Sequence, residues 1–265
     1  SIGALASPTA TLEEFTLLEK IMRGMGSQNM DYRLRQQDFR ADGEISAPLL
    51  ADSIASLEET ELVMLIGSNI RKEQPGLATR LRKSVRNGNR VIVMNSANFD
   101  YAFPVAHNVV ASPSQLVAKL ARLVALTANK KSSKVDAAIM DLAAESSADD
   151  EIEVMADALI EAGDSAQIVV GTTALMDANY SVLVSLASAL AGMTGANYGR
   201  LEEANAAAAW QASFLPFSNA DSAAKNAAEM LSQPLKACLL FNVEPSQDST
   251  TGEQALRTLQ ETGMV

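Results

Sequence analysis

The sequence predicts an α/β fold in which parallel β-sheets are flanked by helices. Two continuous apolar segments, ELVMLIG at 61–67 and VIVMN at 91–95, have the composition of buried strands, and an amphipathic segment beginning near Pro75 separates them. A strand–helix–strand unit of this length joins parallel strands, and strands that are apolar throughout belong to a sheet covered on both faces. Strands and helices alternate along the rest of the chain, which extends this class to the whole sequence.

The first elements are a short strand at 2–6 and a capped helix. Thr11 is followed three residues later by Glu14, a capping box that predicts the start of a helix. The helix should end at the glycines 24 and 26. Its apolar positions recur at the helical spacing of three to four residues: Leu12, Phe15, Leu18, Met22 and Met25.

The second half of the chain continues the alternation. The apolar segments AQIVVG at 166–171 and LKACLLFNV at 235–243 predict two more buried strands. Helical periodicity predicts further helices at 113–128, around 152–160, at 179–195 and at 252–263. The polar segments KKSSK at 130–134 and ESSADDEIE at 145–153 bracket a short helix and predict a domain boundary.

Composition excludes several classes of site. The 265 residues carry a net charge of −11, with the basic residues concentrated before position 140, which argues against general nucleic-acid binding. One cysteine and one histidine cannot build a disulfide, a zinc site or an iron–sulfur site. We expect His107 to be an ordinary structural histidine and Cys238 a small buried apolar residue. Because the first residue is not Met, we expect the sequence to be a piece of a longer protein.

Ligands of open α/β sheets bind at the carboxyl ends of strands. The loops expected there are GSNIRKEQP (67–75), NSANFD (95–100), GTTALMDAN (171–179) and NVEPSQDSTTG (242–252), and none has a dinucleotide fingerprint or a Walker sequence. Backbone amides of residues 67–69 could approach a phosphate, with Arg71 and Lys72 adding positive charge. An ordinary strand-to-helix turn is the favoured interpretation. Adjacent carboxylates are interpreted as surface charge: Glu58/Glu59, Asp149/Asp150 and Glu202/Glu203.

The segment DYRLRQQDFR at 31–40 concentrates three arginines in an acidic chain. We expect Arg33, Arg35 and Arg40 to form ion pairs at a cleft between lobes or to contact a neighbouring domain, because arginine pairs with carboxylates through two parallel hydrogen bonds.

Several segments together resemble the molybdopterin oxidoreductase superfamily. GALASPTATLEEFTLLEKIMRGMGSQNMD is similar to its strand–loop–helix ending in Gly-Thr-Asn-Asn-x-Asp, and LIGSNIRKEQPGLATRLRKSVRNGNRVIVMN to its Gly-x-Asn-x-x-x-x-x-Pro unit. ALAGMTGANYGRLEEANAAAAW and LLFNVEPSQDS follow in the same order. The resemblance implies two Rossmann-like lobes, as in the first three domains of formate dehydrogenases and DMSO reductases. The first lobe would be discontinuous, comprising 1–50 and 151–265, and the second would be an insertion at 51–150.

Within the superfamily, the chain is most similar to the large iron–sulfur subunits of respiratory NADH–quinone oxidoreductases, the enzymes called complex I. Catalytic relatives carry Cys, Arg and a Cys-His pair after the motif that ends in Asp; here DYRLRQQDF keeps Arg and lacks Cys and His. The strand that leads into Asp-Pro-Arg in pterin-binding relatives here leads into Asn-Ser-Ala at 95–97. Both departures agree with a branch that kept the fold and lost the molybdenum chemistry.

This resemblance implies a non-catalytic scaffold with no catalytic, cofactor-binding or metal-binding residues. A vestigial pocket would be marked by Gly67, Ser68, Asn69, Asn95 and Gly171. Electrons would pass from NADH to quinone, coupled to proton translocation, through iron–sulfur clusters in an N-terminal part that this sequence lacks. The implied partners are the other subunits of the peripheral arm of complex I, on the cytoplasmic side of the inner membrane, without nucleic acid and without direct insertion into the membrane.

Two alternatives stay open. The chain could be a fragment of a molybdopterin-dependent oxidoreductase, such as a formate dehydrogenase, whose active residues lie elsewhere in the protein. It could also be a nucleotide-binding module that uses the loops at Gly67 and Gly171. Molybdenum and pterin analysis of the full-length protein would test the first alternative, and titration with nucleotides the second.

Overall fold

A computed structural model describes residues 1–42, 46–147, 149–216 and 223–265. The described residues form eight strands: β1 (Ile2–Ala6), β2 (Met30–Asp31), β3 (Leu62–Ile66), β4 (Arg90–Asn95), β5 (His107–Val110), β6 (Ala166–Val170), β7 (Asn197–Arg200) and β8 (Ala237–Phe241). They form twelve α-helices: α1 (Leu12–Gly24), α2 (Ile70–Glu73), α3 (Pro75–Arg86), α4 (Pro113–Lys130), α5 (Ala137–Ala144), α6 (Asp150–Ala162), α7 (Thr172–Leu175), α8 (Tyr180–Thr194), α9 (Ala206–Gln211), α10 (Ala227–Ser232), α11 (Pro245–Asp248) and α12 (Glu253–Gln260). The α/β class predicted from the sequence is therefore confirmed.

The chain divides into two compact units. Unit 1 contains Ser1–Phe39, residues 46–48 and Glu202–Val265, and its parallel sheet has the strand order β2-β1-β8. Unit 2 contains residues 40–42 and Leu49–Leu201, and its parallel sheet has the order β5-β4-β3-β6-β7. Unit 2 is thus inserted into the sequence of unit 1.

The insertion is longer than the predicted range 51–150, and the assignment of 151–201 to the first lobe is wrong. Strand β6 pairs with β3, with Leu62 opposite Ala166 and Ile66 opposite Val170, and β7 pairs with β6. Because backbone hydrogen bonds join these strands in one sheet, the chain leaves unit 2 only after Leu201. The described residues of the polar segments beside α5 belong to unit 2, and residues 150–153 form the first turn of α6.

Helix α1 has the predicted amino-terminal cap and buries much of the predicted apolar face, whereas Met25 follows the helix and is 46% exposed. The Thr11 hydroxyl accepts from the backbone amide of Glu14 at 3.3 Å, and the Glu14 carboxylate accepts from the Thr11 amide at 2.7 Å. The side chains of Phe15, Leu18 and Met22 are buried in the core of unit 1, where the Phe15 ring lies 5.4 Å from the ring of Phe214. The capping box therefore fixes where the helix begins, and the apolar spacing fixes which face it buries.

The inner strands of the unit 2 sheet are buried on both faces. All five residues of β3 are buried, as are the last five of β4, which agrees with their continuous apolar sequences. Helices α3, α4, α6 and α8 contact strands or other helices of this unit. None of the helices in the described part of the chain is long and apolar enough to cross a membrane.

The strand order of unit 2 defines where the chain changes direction across the sheet. From β3 the chain proceeds outward through β4 to β5, and it then returns to place β6 on the opposite side of β3. This is the order of a doubly wound sheet, and the crevice between the carboxyl ends of β3 and β6 is its topological switch point. Ligand sites of doubly wound folds lie at such a crevice.

Candidate functional site

The five residues predicted to mark a pocket lie at the carboxyl edge of the unit 2 sheet. Gly67, Ser68 and Asn69 follow β3, Asn95 is the last residue of β4, and Gly171 follows β6. The structure brings Ser68, Asn95 and Gly171 together at the switch point. The Asn69 carbonyl accepts from two amides of α2, those of Lys72 at 2.8 Å and Glu73 at 3.0 Å.

The buried side chain of Asn95 occupies the hydrogen-bonding groups of the loop after β3. Its Oδ1 accepts from the Ser68 amide at 2.7 Å, and its Nδ2 donates to the Ser68 carbonyl at 3.2 Å and to the Tyr101 hydroxyl oxygen at 2.5 Å. Asn95 and Ser68 are fully buried, and burial raises the pKa of Tyr101 to about 12. The Ser68 amide, which the sequence offered as a phosphate ligand, already has a protein acceptor.

The two glycines allow the loops after β3 and β6 to pack directly on each other. Gly67 has a φ of +58°, and a Cβ there would lie 2.5 Å from the Cβ of Ala174. A Cβ on Gly171 would lie 2.3 Å from the Cβ of Ser68. Both contacts are shorter than real carbon atoms allow. These glycines therefore serve close packing of two loops.

A carboxylate that the sequence reasoning missed joins the two loops. Glu73, in α2, accepts a hydrogen bond from the Ser68 hydroxyl at 3.2 Å through Oε2 and from the Thr173 hydroxyl at 2.5 Å through Oε1. The neighbouring Thr172 hydroxyl is buried and has no hydrogen-bond partner among the residues that the structure describes. The only signal in the sequence was that Glu73 and the two threonines lie in the two loops already expected at this edge.

Arg71, one of the two cations predicted at this edge, pairs with a carboxylate other than that of Glu73. The Arg71 guanidinium pairs with the carboxylate of Asp100, in the loop after β4. A hydrogen bond from the Ala102 amide, together with Arg71, lowers the pKa of Asp100. Arg71 is therefore paired with a carboxylate of the same unit, in a pair whose side chains are 44% and 79% exposed.

The residues at this edge do not fit the phosphate groups of a pterin dinucleotide. Phosphate sites in α/β folds use free backbone amides and cations. Here the Ser68 amide is bonded to Asn95, Arg71 is paired with Asp100, and the Glu73 carboxylate lies between the two loops. A bound phosphate would have to displace or approach a like charge, which is unfavourable.

A second buried polar cluster lies in unit 1, at the end of β2. Asp31 is fully buried, and its Oδ1 and Oδ2 accept from Nε and Nη2 of Arg33 at 2.8 and 2.9 Å. The same carboxylate accepts from three backbone amides, those of Tyr32, Arg33 and Ala227, at 2.8 to 3.1 Å. The Arg33 guanidinium also lies 5.0 Å from the centre of the Phe39 ring, a cation–π distance.

The other arginines of this segment also bond to protein groups. Arg35 forms an ion pair with Glu203 at 3.2 Å, within unit 1. Arg40 donates to the carbonyl of Ala178 and to Oδ1 of Asn179, both at 3.2 Å, within unit 2. Arg33 and Arg35 thus form ion pairs within unit 1, and these two bonds of Arg40 go to neutral oxygen atoms. The expected location, at a cleft between lobes or against a neighbouring domain, stays a prediction.

The interpretation of Glu202 as surface charge is wrong. Glu202 is buried, and its Oε2 accepts from the Tyr32 hydroxyl at 2.7 Å. Trp210 donates through its indole nitrogen to the same Tyr32 oxygen at 2.9 Å. Burial, followed by the charge of Glu202, raises the pKa of Tyr32 well above its usual value. Burial likewise raises the pKa of Glu203.

The histidine and the cysteine lie apart from both clusters. His107 is on the edge strand β5, with Nδ1 3.9 Å from a carboxylate oxygen of Glu151. Cys238 is a buried residue of β8, and burial raises the pKa of its thiol to about 11. The described residues contain no group of three or more histidine, cysteine or carboxylate side chains arranged to hold a metal ion.

Two open cavities lie elsewhere in unit 2. One, of about 470 Å³, has a largely apolar lining from α4, α5 and the loop between them, including Arg122, Leu126 and Met140. The other, of about 550 Å³, is bordered by Glu58, whose carboxylate pairs with Arg80 and Lys83 of α3. Those two cations lower the pKa of Glu58, with Lys83 contributing first.

Comparison with known proteins gives one family and several partial relatives. A family model described as molybdopterin oxidoreductase matches residues 1–265. An NADH-quinone oxidoreductase subunit of Rickettsia felis is 32% identical over 88 residues, which are 33% of this chain and 13% of that protein. The NADH-ubiquinone oxidoreductase 75 kDa subunit of Reclinomonas americana is 36% identical over 88 residues, which are 33% of this chain and 12% of that protein.

Solved structures add a likeness of fold. A chain of the formyltransferase/hydrolase complex FhcABCD from Methylorubrum extorquens, in complex with methylofuran, superposes with a TM-score of 0.56 and 11% identity. The superposition covers 97% of this chain and 66% of that chain. The matched segments span about an eighth of the length of the curated relatives.

Proposed function

The chain belongs to the molybdopterin oxidoreductase family, and from that premise we propose that it is a non-catalytic scaffold region of the large subunit of an NADH–quinone oxidoreductase. The observation that carries the proposal is that protein groups already occupy the switch-point crevice of unit 2. The protein itself uses the Ser68 amide, the Arg71 guanidinium and the space between the loops, through Asn95, Asp100 and Glu73. A region that binds no pterin can still serve as a rigid platform for neighbouring subunits.

The names of the partial relatives support the choice of complex. The Rickettsia felis protein is named as a subunit of an NADH-quinone oxidoreductase and the Reclinomonas americana protein as a subunit of an NADH-ubiquinone oxidoreductase, and both match the same share of this chain. Electrons in such a subunit would travel from NADH through iron–sulfur clusters outside this chain to quinone, with coupled proton translocation. The partners would be the other peripheral-arm subunits, on the cytoplasmic side of the inner membrane.

The test is isolation of the full-length protein from its own cells by an affinity tag. We expect it to copurify with the other subunits of an NADH–quinone oxidoreductase, to contain iron and labile sulfide, and to lack molybdenum and pterin. Subunits are identified by mass spectrometry after native electrophoresis, and metals by plasma mass spectrometry. A protein that runs alone, or one that carries one molybdenum per chain, would overturn the proposal.

A second candidate is a fragment of a molybdopterin-dependent oxidoreductase such as a formate dehydrogenase. The match of the family model to the whole chain favours it, because that model describes the entire family and not one branch. The same preparation separates the two candidates. Stoichiometric molybdenum together with formate-dependent dye reduction would support this second function.

A further inference from the structure

We propose that the switch-point crevice of unit 2 is a latent anion-binding site that the carboxylate of Glu73 occupies as a built-in ligand. In this view the site has kept its hydrogen-bond donors, and the protein supplies the anion from its own α2. The class of external ligand that Glu73 excludes is a phosphate or diphosphate group. The inference concerns binding to this chain alone and does not depend on the proposed membership of a respiratory complex.

The donors that hold Glu73 come from opposite sides of the crevice. Ser68 follows β3 and Thr173 follows β6, and each hydroxyl donates to a different oxygen of the one carboxylate. These two residues are 105 positions apart in the chain and meet only because β3 and β6 are neighbours in the sheet. The Glu73 carboxylate thus bridges two hydroxyls at the topological switch point, which is where doubly wound folds bind their ligands.

The hydroxyl of Thr172, the residue before Thr173, has no acceptor in the described part of the chain. The hydroxyl of Thr172 is buried, with 7% of the residue exposed, and lacks a partner within the described residues. Leaving a buried hydroxyl without a hydrogen bond is unfavourable, so such groups need an explanation. The Glu73 carboxylate satisfies the Ser68 and Thr173 hydroxyls and leaves that of Thr172 without an acceptor among the residues that the structure describes.

The charge of Glu73 acts on Tyr101, a buried neighbour of Asn95. It contributes, after burial, to the raised pKa of Tyr101, whose hydroxyl oxygen accepts from Asn95. An external anion entering beside this carboxylate would meet the same unfavourable field. Removal of the Glu73 side chain therefore both empties the space between the loops and ends the repulsion, whereas removal of its charge alone ends only the repulsion.

The experiment is titration of the purified 265-residue protein with inorganic pyrophosphate, followed by isothermal calorimetry and by phosphorus NMR line broadening. We expect the unsubstituted protein to show no saturable binding. Glu73→Ala should bind pyrophosphate saturably, with a dissociation constant at least about tenfold below the highest pyrophosphate concentration tested, because a like charge and its side-chain volume are both removed. Glu73→Gln, which keeps the shape and loses the charge, should bind with intermediate affinity.

Controls place any new binding at this crevice. Glu153→Ala removes a carboxylate from the exposed face of α6 and should leave binding as in the unsubstituted protein. Adding Thr173→Val to Glu73→Ala removes one donor and should abolish the gain. Glu73→Gln conserves side-chain volume, so it provides a folded test if Glu73→Ala is unstable.

The inference is overturned if the unsubstituted protein binds pyrophosphate as tightly as the Glu73 variants, or if neither variant gains binding. It is also overturned if Glu153→Ala produces the same gain, because the effect would then be one of net charge. None of these outcomes bears on whether the full-length protein assembles with respiratory subunits. Failure of the anion site and failure of the assembly role can thus be told apart.

Discussion

The two units each bury a polar cluster beside a parallel sheet, but they neutralise its charge in different ways. In unit 1 the Asp31 carboxylate faces the Arg33 guanidinium two residues away, and three backbone amides complete its hydrogen bonds. In unit 2 the Glu73 carboxylate is held by two neutral hydroxyls, and Arg71 of the same helix faces Asp100 instead. One cluster is a closed ion pair, whereas the other is an anion bound by neutral donors.

The difference bears on what each cluster can do. A buried ion pair with all its oxygens bonded fixes the backbone locally and offers nothing to an outside molecule. An anion held by hydroxyls at a switch point occupies a place that another anion could take. The unit 1 cluster is therefore expected to act on stability, and the unit 2 cluster on both packing and binding.

The largest effect should come from breaking the unit 1 pair with Asp31→Asn. The substitution keeps the shape of the side chain but removes the negative charge from a buried ion pair, and removing one partner of a buried pair costs roughly 3–5 kcal/mol. Urea unfolding followed by circular dichroism measures the free energy of unfolding. A loss below about 1 kcal/mol would show that solvent screens this pair as it does an exposed one.

The next largest effect should come from Gly67→Ala in unit 2. The new methyl group would meet Ala174 at 2.5 Å in a backbone conformation with φ +58°, so both strain and overlap oppose it, at a cost of about 3 kcal/mol. Gly76→Ala, in helix α3 with open space around the new carbon, is the matched control. We expect it to be neutral or to stabilise by up to about 1 kcal/mol. Equal losses in the two variants would refute the close-packing argument.

The tyrosines of both units should make the folded protein less stable at alkaline pH. The pKa of Tyr101 is raised to about 12 and that of Tyr32 is also raised, so above pH 10 the folded protein holds protons that the unfolded chain has lost. The free energy of unfolding must then fall as pH rises, by up to about 1.4 kcal/mol per pH unit for each group.

Tyr101→Phe and Tyr32→Phe should each make this alkaline decline shallower, although each also loses hydrogen bonds and begins from a lower stability. The buried Cys238 thiol, with a pKa of about 11, contributes to the decline in both variants alike. Urea midpoints between pH 8 and 11 measure the slope. A slope unchanged by either substitution would mean that the two hydroxyls ionise as freely in the folded protein as in the unfolded chain.

The smallest effect is expected for Arg35→Ala. Arg35 belongs to the same segment as Arg33 and also pairs with a carboxylate, Glu203, but 45% of its side chain is exposed. Exposed pairs contribute about 1 kcal/mol or less because water screens them. Comparison with Asp31→Asn in the same unfolding assay isolates burial as the cause. If Arg35→Ala lowered the free energy of unfolding as much as Asp31→Asn does, burial would not explain the difference between the two ion pairs.

The regular elements could be predicted because their causes are local. The capping box at Thr11, the apolar periodicity of α1 and the continuous apolar runs of β3 and β4 are visible in single segments. Strands β5 and β7 were missed because each has only four residues and their sequences, HNVV and NYGR, mix polar and apolar positions. Polar loops beside α5 resembled a domain boundary, since sequence alone does not show that β6 returns to β3.

The position of the site in the fold could be predicted from the sequence, but the hydrogen bonds within it could not. The rule for carboxyl ends of parallel strands located Gly67, Ser68, Asn95 and Gly171 at one edge. That Asn95 would consume the Ser68 amide, or that Glu73 would reach across to Thr173, depends on the spacing of two strands and the rotamer of each side chain. Glu202 was misassigned for the same reason: two adjacent acidic residues in a polar run give no sign that one is buried against Tyr32.

The pairing of β1 with β8 has a consequence for synthesis on the ribosome. Ile2 lies opposite Ala237, so β1 is translated more than two hundred residues before its neighbour exists. At about 5–20 residues per second, the wait is on the order of tens of seconds. Unit 2 can fold during that interval, since all its strands lie between these two. The nascent chain meanwhile carries an apolar strand with one unpaired edge, which is the kind of segment that chaperones protect from aggregation.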